Sequence, residues 1–465
     1  MTRLSVEMLA ADAPPPITSA GHAQLGIAVL VGIAVIVLLI TKFKLHAFLA
    51  LTIGSLALGA AAGAPLDKAI TSFTTGLGTT VAGVGVLIAL GAILGKLLAD
   101  SGGADQIVDT ILAKAGGRAM PWAMVLIASV IGLPLFFEVG IVLLIPVVLM
   151  VARRGHYSLM RIGIPALAGL SVMHGLIPPH PGPLVAIDAL HANLGVTLAF
   201  GILVAIPTVI VAGPLFSKVA ARWVDVQAPD RMLPQRPSEE LERRPGFGAT
   251  LSTVLLPVVL MLAKALVDIV VDDPANTTQR VFDIIGSPMI ALLAAVIVGF
   301  FTLGRPAGFS KERLQQTVEK GLMPIAGILL IVGAGGGFKQ TLIDSGVGQM
   351  ILDVSKNWSI PAVLLAWLIA VVIRLATGSA TVATVSAAGL VAPLAAGAST
   401  THTALLVLAI GAGSLFFSFV NDAGFWLVKE YFGLSVGQTV KTWSIMETIL
   451  SVVAGGLVLL LSVII

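Results

Sequence analysis

Apolar runs of membrane-spanning length recur along this chain from residue 24 to its last residue, and short stretches between them collect much of the charge. A helix needs roughly 20 apolar residues to cross a hydrocarbon core. The runs fall near 24–41, 45–62, 80–98, 121–152, 163–190, 196–213, 250–270, 285–303, 322–338, 361–394, 402–430 and 447–465. Nothing between them is long enough for a soluble domain. The pattern predicts one all-α polytopic membrane domain over 1–465, with about 12–14 membrane segments. The first run exceeds a signal-peptide core and is followed by Lys42 and Lys44, so it reads as a retained span behind a loose, proline-containing head.

Composition agrees with this pattern. Hydrophobic residues make up 57% of 465 and charged residues 11%, and mean hydropathy is +1.03. A soluble chain of this size would need far more polar surface. The net charge of +3 gives no reason to expect nucleic acid. The absence of cysteine excludes disulfides, thiolate metal sites and a cysteine nucleophile.

Charge placement predicts orientation. Lys42 and Lys44, the stretch Lys114 to Arg118, Arg153–Arg154, the polar loop about 218–248 and the segment 305–320 are basic, as cytoplasmic loops are. The stretch 268–283 carries Asp268, Asp272, Asp273 and Asp283 against Arg280 and is expected outside. Both termini then fall on the periplasmic side of a bacterial inner membrane.

The two halves resemble each other. LLADSGGADQI (97–107) matches TLIDSGVGQMI (341–351), and 178–182 matches 420–424 at nearly the same offset. The Arg153–Arg154 loop corresponds to 395–401, which has no Lys or Arg, so basic loops face neutral partners. That is expected of inverted-topology repeats, about 79–213 and 322–465, a transporter signature. The block 121–152 starts and ends beside cytoplasmic charge but is too short for two crossings, so it and 361–394 are predicted re-entrant helical hairpins. A broken transmembrane helix follows each: Pro178, Pro179, Pro181 and Pro183 interrupt the first, and Asn421, Asp422 and Gly424 the second. Broken backbone at membrane depth survives only inside protein or along a cavity, so the four irregularities should converge.

Candidate chemistry sits at those irregularities. Glu138 lies at the first hairpin tip, where a carboxyl either lines a cavity and relays protons or caps a broken helix. Arg374 lies on the order of 20 Å into the second hairpin, beyond easy snorkelling, and needs an anion: Glu138, Asp422 or a substrate carboxylate. Thr377, Ser379 and Thr381 surround Gly378 with hydroxyls that bind either ligand or their own backbone. In the breaks, His180 and Asp422 align; a histidine there can titrate, and Asn421 and Asp422 suit a hydroxylated ligand. Lone Asp100 and Asp344 read as helix ends, and His174 as a packing residue. No Walker A, HExxH or Cys/His cluster occurs, which argues against ATP-driven transport, a metal-dependent membrane enzyme or a resident metal or cofactor.

The stretches GLPLFFEVGIVLLIPVV (132–148), HGLIPPHPGPL (174–184), GSATVATVSAAGL (378–390), VNDAGFWLVKEYFGLS (420–435) and KTWSIMET (441–448) resemble the gluconate:proton symporter family of the ion transporter superfamily. The resemblance covers nearly the whole chain. It implies proton-coupled symport of gluconate or a related sugar acid, a homodimer, and a scaffold carrying a moving, elevator-like transport domain. On this reading the substrate carboxylate lies near Arg374 and the Ser379/Thr381 backbone. Its hydroxyls meet Asn421, Asp422, His180 with neighbouring Gly182, and Glu138; one of Glu138, His180 and Asp422 takes the proton. Family members often have Gln and His where this chain has Thr377 and Phe419, which leaves the sugar acid open.

Overall fold

The computed structural model describes residues 16–134, 137–227, 243–271, 275–323, 325–348, 350, 360–419 and 422–465. Among the described residues the structure is helical throughout, with no strand. Seven helices are long and apolar enough to cross a membrane, and an eighth if Thr277–Ile285 and Pro288–Gly304, bent by 64°, form one span. The reason is composition: helices of this length made almost wholly of Leu, Ile, Val, Ala and Gly satisfy their backbone internally, as hydrocarbon demands.

The helices that build the site are α1 (His22–Thr41), α2 (Ala47–Ala61), α3 (Leu66–Asp100), α4 (Met120–Gly132), α5 (Phe137–Arg154), α6 (Leu159–Leu176) and α7 (Pro181–Leu190). From the second half come α8 (Ile325–Asp344), α9 (Ala362–Thr377), α10 (Ala380–Ala395), α11 (Thr400–Ser414), α12 (Ala423–Phe432) and α13 (Ile445–Ile464). Helices α4 and α5 pack against each other, as do α9 and α10. Helices α9 and α10 have 16 residues each, about 24 Å at 1.5 Å per residue and short of a full crossing. They form a helical hairpin joined at Gly378–Ser379. The broken helices are present too: α6 stops at Leu176 and resumes as α7 at Pro181, and α11 stops at Ser414 before α12 at Ala423. Helix starts keep the register of the sequence match, at 120 and 362 and again at 181 and 423.

The Asp-Ser-Gly similarity has a local cause. Asp100 ends α3 and Asp344 ends α8, and each is followed by Ser and then a left-handed glycine, Gly102 (φ 71°) and Gly346 (φ 84°). A residue without Cβ adopts that conformation freely and stops the helix. Each carboxylate is held one turn back, Asp100 by Lys96 at 2.6 Å and Asp344 by Gln340 at 2.8 Å.

Helix α8 ties the hairpin half to the rest. Its run Gly333 to Gly337 lies against α3 so closely that a Cβ on Gly336 would come within 2.1 Å of Thr80 Oγ1. Small residues allow such approach where no hydrophobic force drives helices together. The opposite side of α8 meets α10, with Gly335 against Val385.

Two loops depart from expectation. Lys218 and Arg222 belong to the helix Phe216–Trp223, so the polar loop starts later than 218, and 228–242 lie outside the described residues. The acidic stretch 268–283 is partly helical over Thr277–Ile285, and Lys264 pairs with both Asp268 and Asp283. Asp272 and Asp273 lie outside the described residues.

Candidate functional site

Arg374 sits in the last turn of α9, only 3% exposed. Its Nη2 donates to Asp422 Oδ2, while Nε and Nη1 are buried with no hydrogen-bond partner among the described residues. The sequence left open whether a protein carboxylate or a ligand answers this guanidinium. Asp422 takes Nη2, and two further donor nitrogens remain among the described residues.

Asp422 is fixed by its local sequence. It caps α12, with Oδ1 accepting from Gly424 N at 2.9 Å, and Oδ2 also accepts from the Ser418 hydroxyl. Ser418 Oγ accepts in turn from Trp443 Nε1 at 2.7 Å, and its carbonyl accepts from the Ser444 hydroxyl. Trp443 lies in a π turn, Val440–Ser444, whose extra residue re-aims the side chains leading into α13. The guanidinium is thus oriented by a chain of polar bonds that reaches a fully buried indole.

The hairpin tip completes this side. Gly378 is left-handed (φ 70°) and closes α9; Ser379 then caps α10, its hydroxyl accepting from Val382 N at 3.3 Å. Thr377 Oγ1 donates back to the Ile373 carbonyl at 2.9 Å. Two hydroxyls therefore serve the backbone, as such residues often do. The starts of α10 and α12 both border the space beside Arg374; both are positive dipole ends.

Together these residues border a cavity of about 240 Å³, lined on this side by Arg374, Thr377, Gly378, Ser379, Thr381 and Asp422. The far wall is Phe137, Ser171, His174, Trp443 and Glu447. Rings meet there at a tilt, Phe137 with Trp443 at 5.6 Å and with His174 at 6.1 Å between centroids. A guanidinium with free donors, helix N-termini and an aromatic wall suit a small carboxylate carrying polar groups. A larger cavity of about 540 Å³ lies where α7 and α10 end, bordered mainly by alanines with His191, Asn193, Thr400 and Thr403. It has neither guanidinium nor carboxyl in its lining, so size alone does not favour it.

Two further sequence candidates, His180 and Gly182, fall elsewhere. His180 stands one layer back: Nε2 donates to the Gly132 carbonyl at 2.7 Å, tying the first break to the end of α4, and its ring lies 5.5 Å from His174. Gly182 packs against Thr384 of α10, where a Cβ would lie 3.4 Å from the hydroxyl. Neither borders the cavity. Glu138 is in the first turn of α5, but its side chain lies outside the described residues, as does Asn421 altogether.

The sequence reading passed over Glu447, Ser171 and Trp443, and took His174 as packing. The apolar pattern starts the last span at residue 447, which hides Glu447; the continuous helical span, of which α13 is the last part, begins at Val436, which puts Glu447 about three turns in. Its place in KTWSIMET was the available signal.

Comparison with known proteins gives the same class. A gluconate permease of Pseudomonas aeruginosa is 50% identical over 436 residues, covering 94% of this chain and 97% of its own. The Gnt-II system L-idonate transporter of Escherichia coli K12 is 40% identical over 423 residues, covering 90% and 95%. Among solved structures, the Alcanivorax borkumensis YdaH transporter superposes with a TM-score of 0.60 at 18% identity, covering 88% of this chain and 96% of its own. Neisseria gonorrhoeae MtrF gives 0.62 at 15% identity, covering 98% and 96%. Both likenesses concern the fold. The sequence profile of the GntP family permeases matches residues 25–464, and the chain, a polytopic membrane transporter rather than an enzyme, belongs to that family.

Proposed function

We propose that this protein is a secondary active transporter that carries gluconate or a related monoanionic sugar acid across the bacterial inner membrane by proton symport. The observation that carries the reading is Arg374: a buried guanidinium with Nε and Nη1 unpartnered among the described residues, beside the starts of α10 and α12. These two donors open on different sides of the guanidinium, so a carboxylate can take a charge-assisted bond from either one. The relatives' names, gluconate permease and L-idonate transporter, support the sugar-acid class. Thr377, Ser379, Thr381, Asn421 and Asp422 then serve the carboxylate's neighbouring hydroxyls. His180 and Gly182 support the tip from behind, and the coupling proton binds an ionisable side chain of this region, for which the sequence by itself nominates Glu138, His180 and Asp422.

The reading includes inverted repeats, to which the shared helix starts at 120/362 and 181/423 lend support. It also includes periplasmic termini, a homodimer, and an elevator movement of the two hairpins against α3 and α8.

Uptake of labelled gluconate into proteoliposomes tests it, with and without an imposed inward proton gradient. Accumulation above equilibrium, abolished by a protonophore, is expected. Equilibration without accumulation would instead mark a facilitator. Absence of gluconate uptake together with uptake of another hydroxy-carboxylate would move the substrate, with Thr377 and Phe419 the first positions to exchange.

A further inference from the structure

A second carboxyl group borders the same cavity, and the assignments above make no use of it. Glu447 lies in the first turn of α13, is 2% exposed, and lines the cavity with Arg374 and Asp422. Its Oε1 is buried without a hydrogen-bond partner among the described residues, and its polar neighbour is the Ser171 hydroxyl of α6.

The two carboxyl groups are unequally equipped. Asp422 accepts from Arg374, from Ser418 and from Gly424 N, so a proton placed on it would compete with donors already there. Glu447 has the opposite geometry. A bare oxygen shut off from water is costly as a carboxylate, and as a carboxylic acid it becomes an O–H donor on a residue that lines the cavity.

Charge in the cavity points the same way. Arg374 and Asp422 form an ion pair. An arriving monoanion would then meet the Glu447 carboxylate as an unbalanced like charge, and a proton on Glu447 removes that repulsion. Proton and substrate therefore favour each other's binding, and by linkage the effect is mutual, as symport requires. The other ionisable groups on elements packed against α13 leave this balance in place. His174 of α6 borders the cavity, with His180 behind it. Arg161 of α6 is bonded to Pro214 and Ser217 at the far end of that helix, His402 begins α11, and Lys441 is exposed.

We infer that Glu447 is the proton-carrying residue of the transport cycle, taking the coupling proton on its unpartnered oxygen and donating that O–H to the bound sugar acid. The inference rests on the sugar-acid reading above. One O–H bond forms when the proton enters from water on one side and breaks when it leaves on the other; no further reactant takes part.

The test compares wild type, Glu447→Gln and Glu138→Gln in proteoliposomes holding a fluorescent pH indicator. Wild type should acidify the lumen as gluconate enters; if it does neither, the parent reading fails. Given wild-type symport, Glu447→Gln should exchange gluconate in counterflow within about threefold of wild type, about 0.7 kcal/mol. It should do so without acidification or accumulation, and with a rate flat in pH where that of wild type is not. Glu138→Gln should still acidify. Accumulation with acidification by Glu447→Gln overturns the inference. So does the loss of both in Glu138→Gln alone, or the loss of counterflow in a stably folded Glu447→Gln. If the glutamine variant fails to fold, Glu447→Asp, which keeps a proton site, must retain protonophore-sensitive accumulation, and its failure to do so in folded form is equally decisive against the inference.

Discussion

Replacing Arg374 with lysine separates charge from shape at the heart of the site. Alanine is the less informative change, because it strands Asp422 without its cation and breaking a buried pair costs about 3–5 kcal/mol of stability by itself. Lysine keeps a positive charge and one bond to Asp422 but lacks the further donors Nε and Nη1. A substrate carboxylate accepting from one of them would make a charge-assisted bond worth about 1.5–3 kcal/mol. If lysine recovers little of it, the loss is of that size, or roughly 10- to 150-fold in affinity. Half-saturation of gluconate counterflow gives the affinity, and thermal unfolding in detergent confirms that the fold is kept. The lysine variant should also discriminate less between gluconate and the uncharged polyol sorbitol. A folded Arg374→Lys protein with affinity within about threefold of wild type would refute the placement of the carboxylate at these donors.

The other predictions follow from single contacts. Gly378→Ala puts a side chain on a left-handed residue (φ 70°) at the hairpin tip and should lower stability by about 1–2 kcal/mol, read as a fall in unfolding temperature together with slower uptake. Ser418→Ala removes one donor to Asp422 and the acceptor of Trp443 Nε1; gluconate affinity should fall about 5- to 10-fold, near 1 kcal/mol, and tryptophan fluorescence should change. Gly336→Val drives a side chain into Thr80 across the α3–α8 crossing and should destabilise by about 1–3 kcal/mol, with little change in the half-saturating gluconate concentration of whatever protein folds. His180→Gln can keep a donor for the Gly132 carbonyl, so transport should persist; complete loss in a folded variant would assign the imidazole more than this bond.

Much of the architecture was legible in the chain because the bilayer leaves few options. Apolar runs had to be helices, Asp-Ser-Gly had to stop them, and Pro178 to Pro183 had to break one. The hairpins followed from block length measured against bilayer thickness. These are local or one-dimensional constraints, which a sequence carries without knowing its neighbours. Helix ends were read less well: Phe216–Trp223 and Val436–Thr439 extend spans past their apolar stretch, since a helix continues wherever its backbone bonds do, whatever the hydropathy.

The site divides along the same line. That Arg374, buried in a hairpin, required an anion was a statement about one side chain and its solvent, and sequence sufficed for it. Which anion met it, and on which edge, depended on the start of α12 lying against the end of α9, two segments about 48 residues apart whose approach no local pattern encodes. The same applies to His180, which titration chemistry placed in the site and packing withdrew behind His174 to hold the end of α4. It applies most of all to Glu447. An isolated carboxyl in the last span is a mark on the sequence, but only the convergence of α6, α9 and α13 leaves its oxygen bare beside a bound anion's place. Sequence set each group's needs, and tertiary packing decided which neighbour met them, because polar contacts act over about 3 Å while the residues that make them lie far apart along the chain.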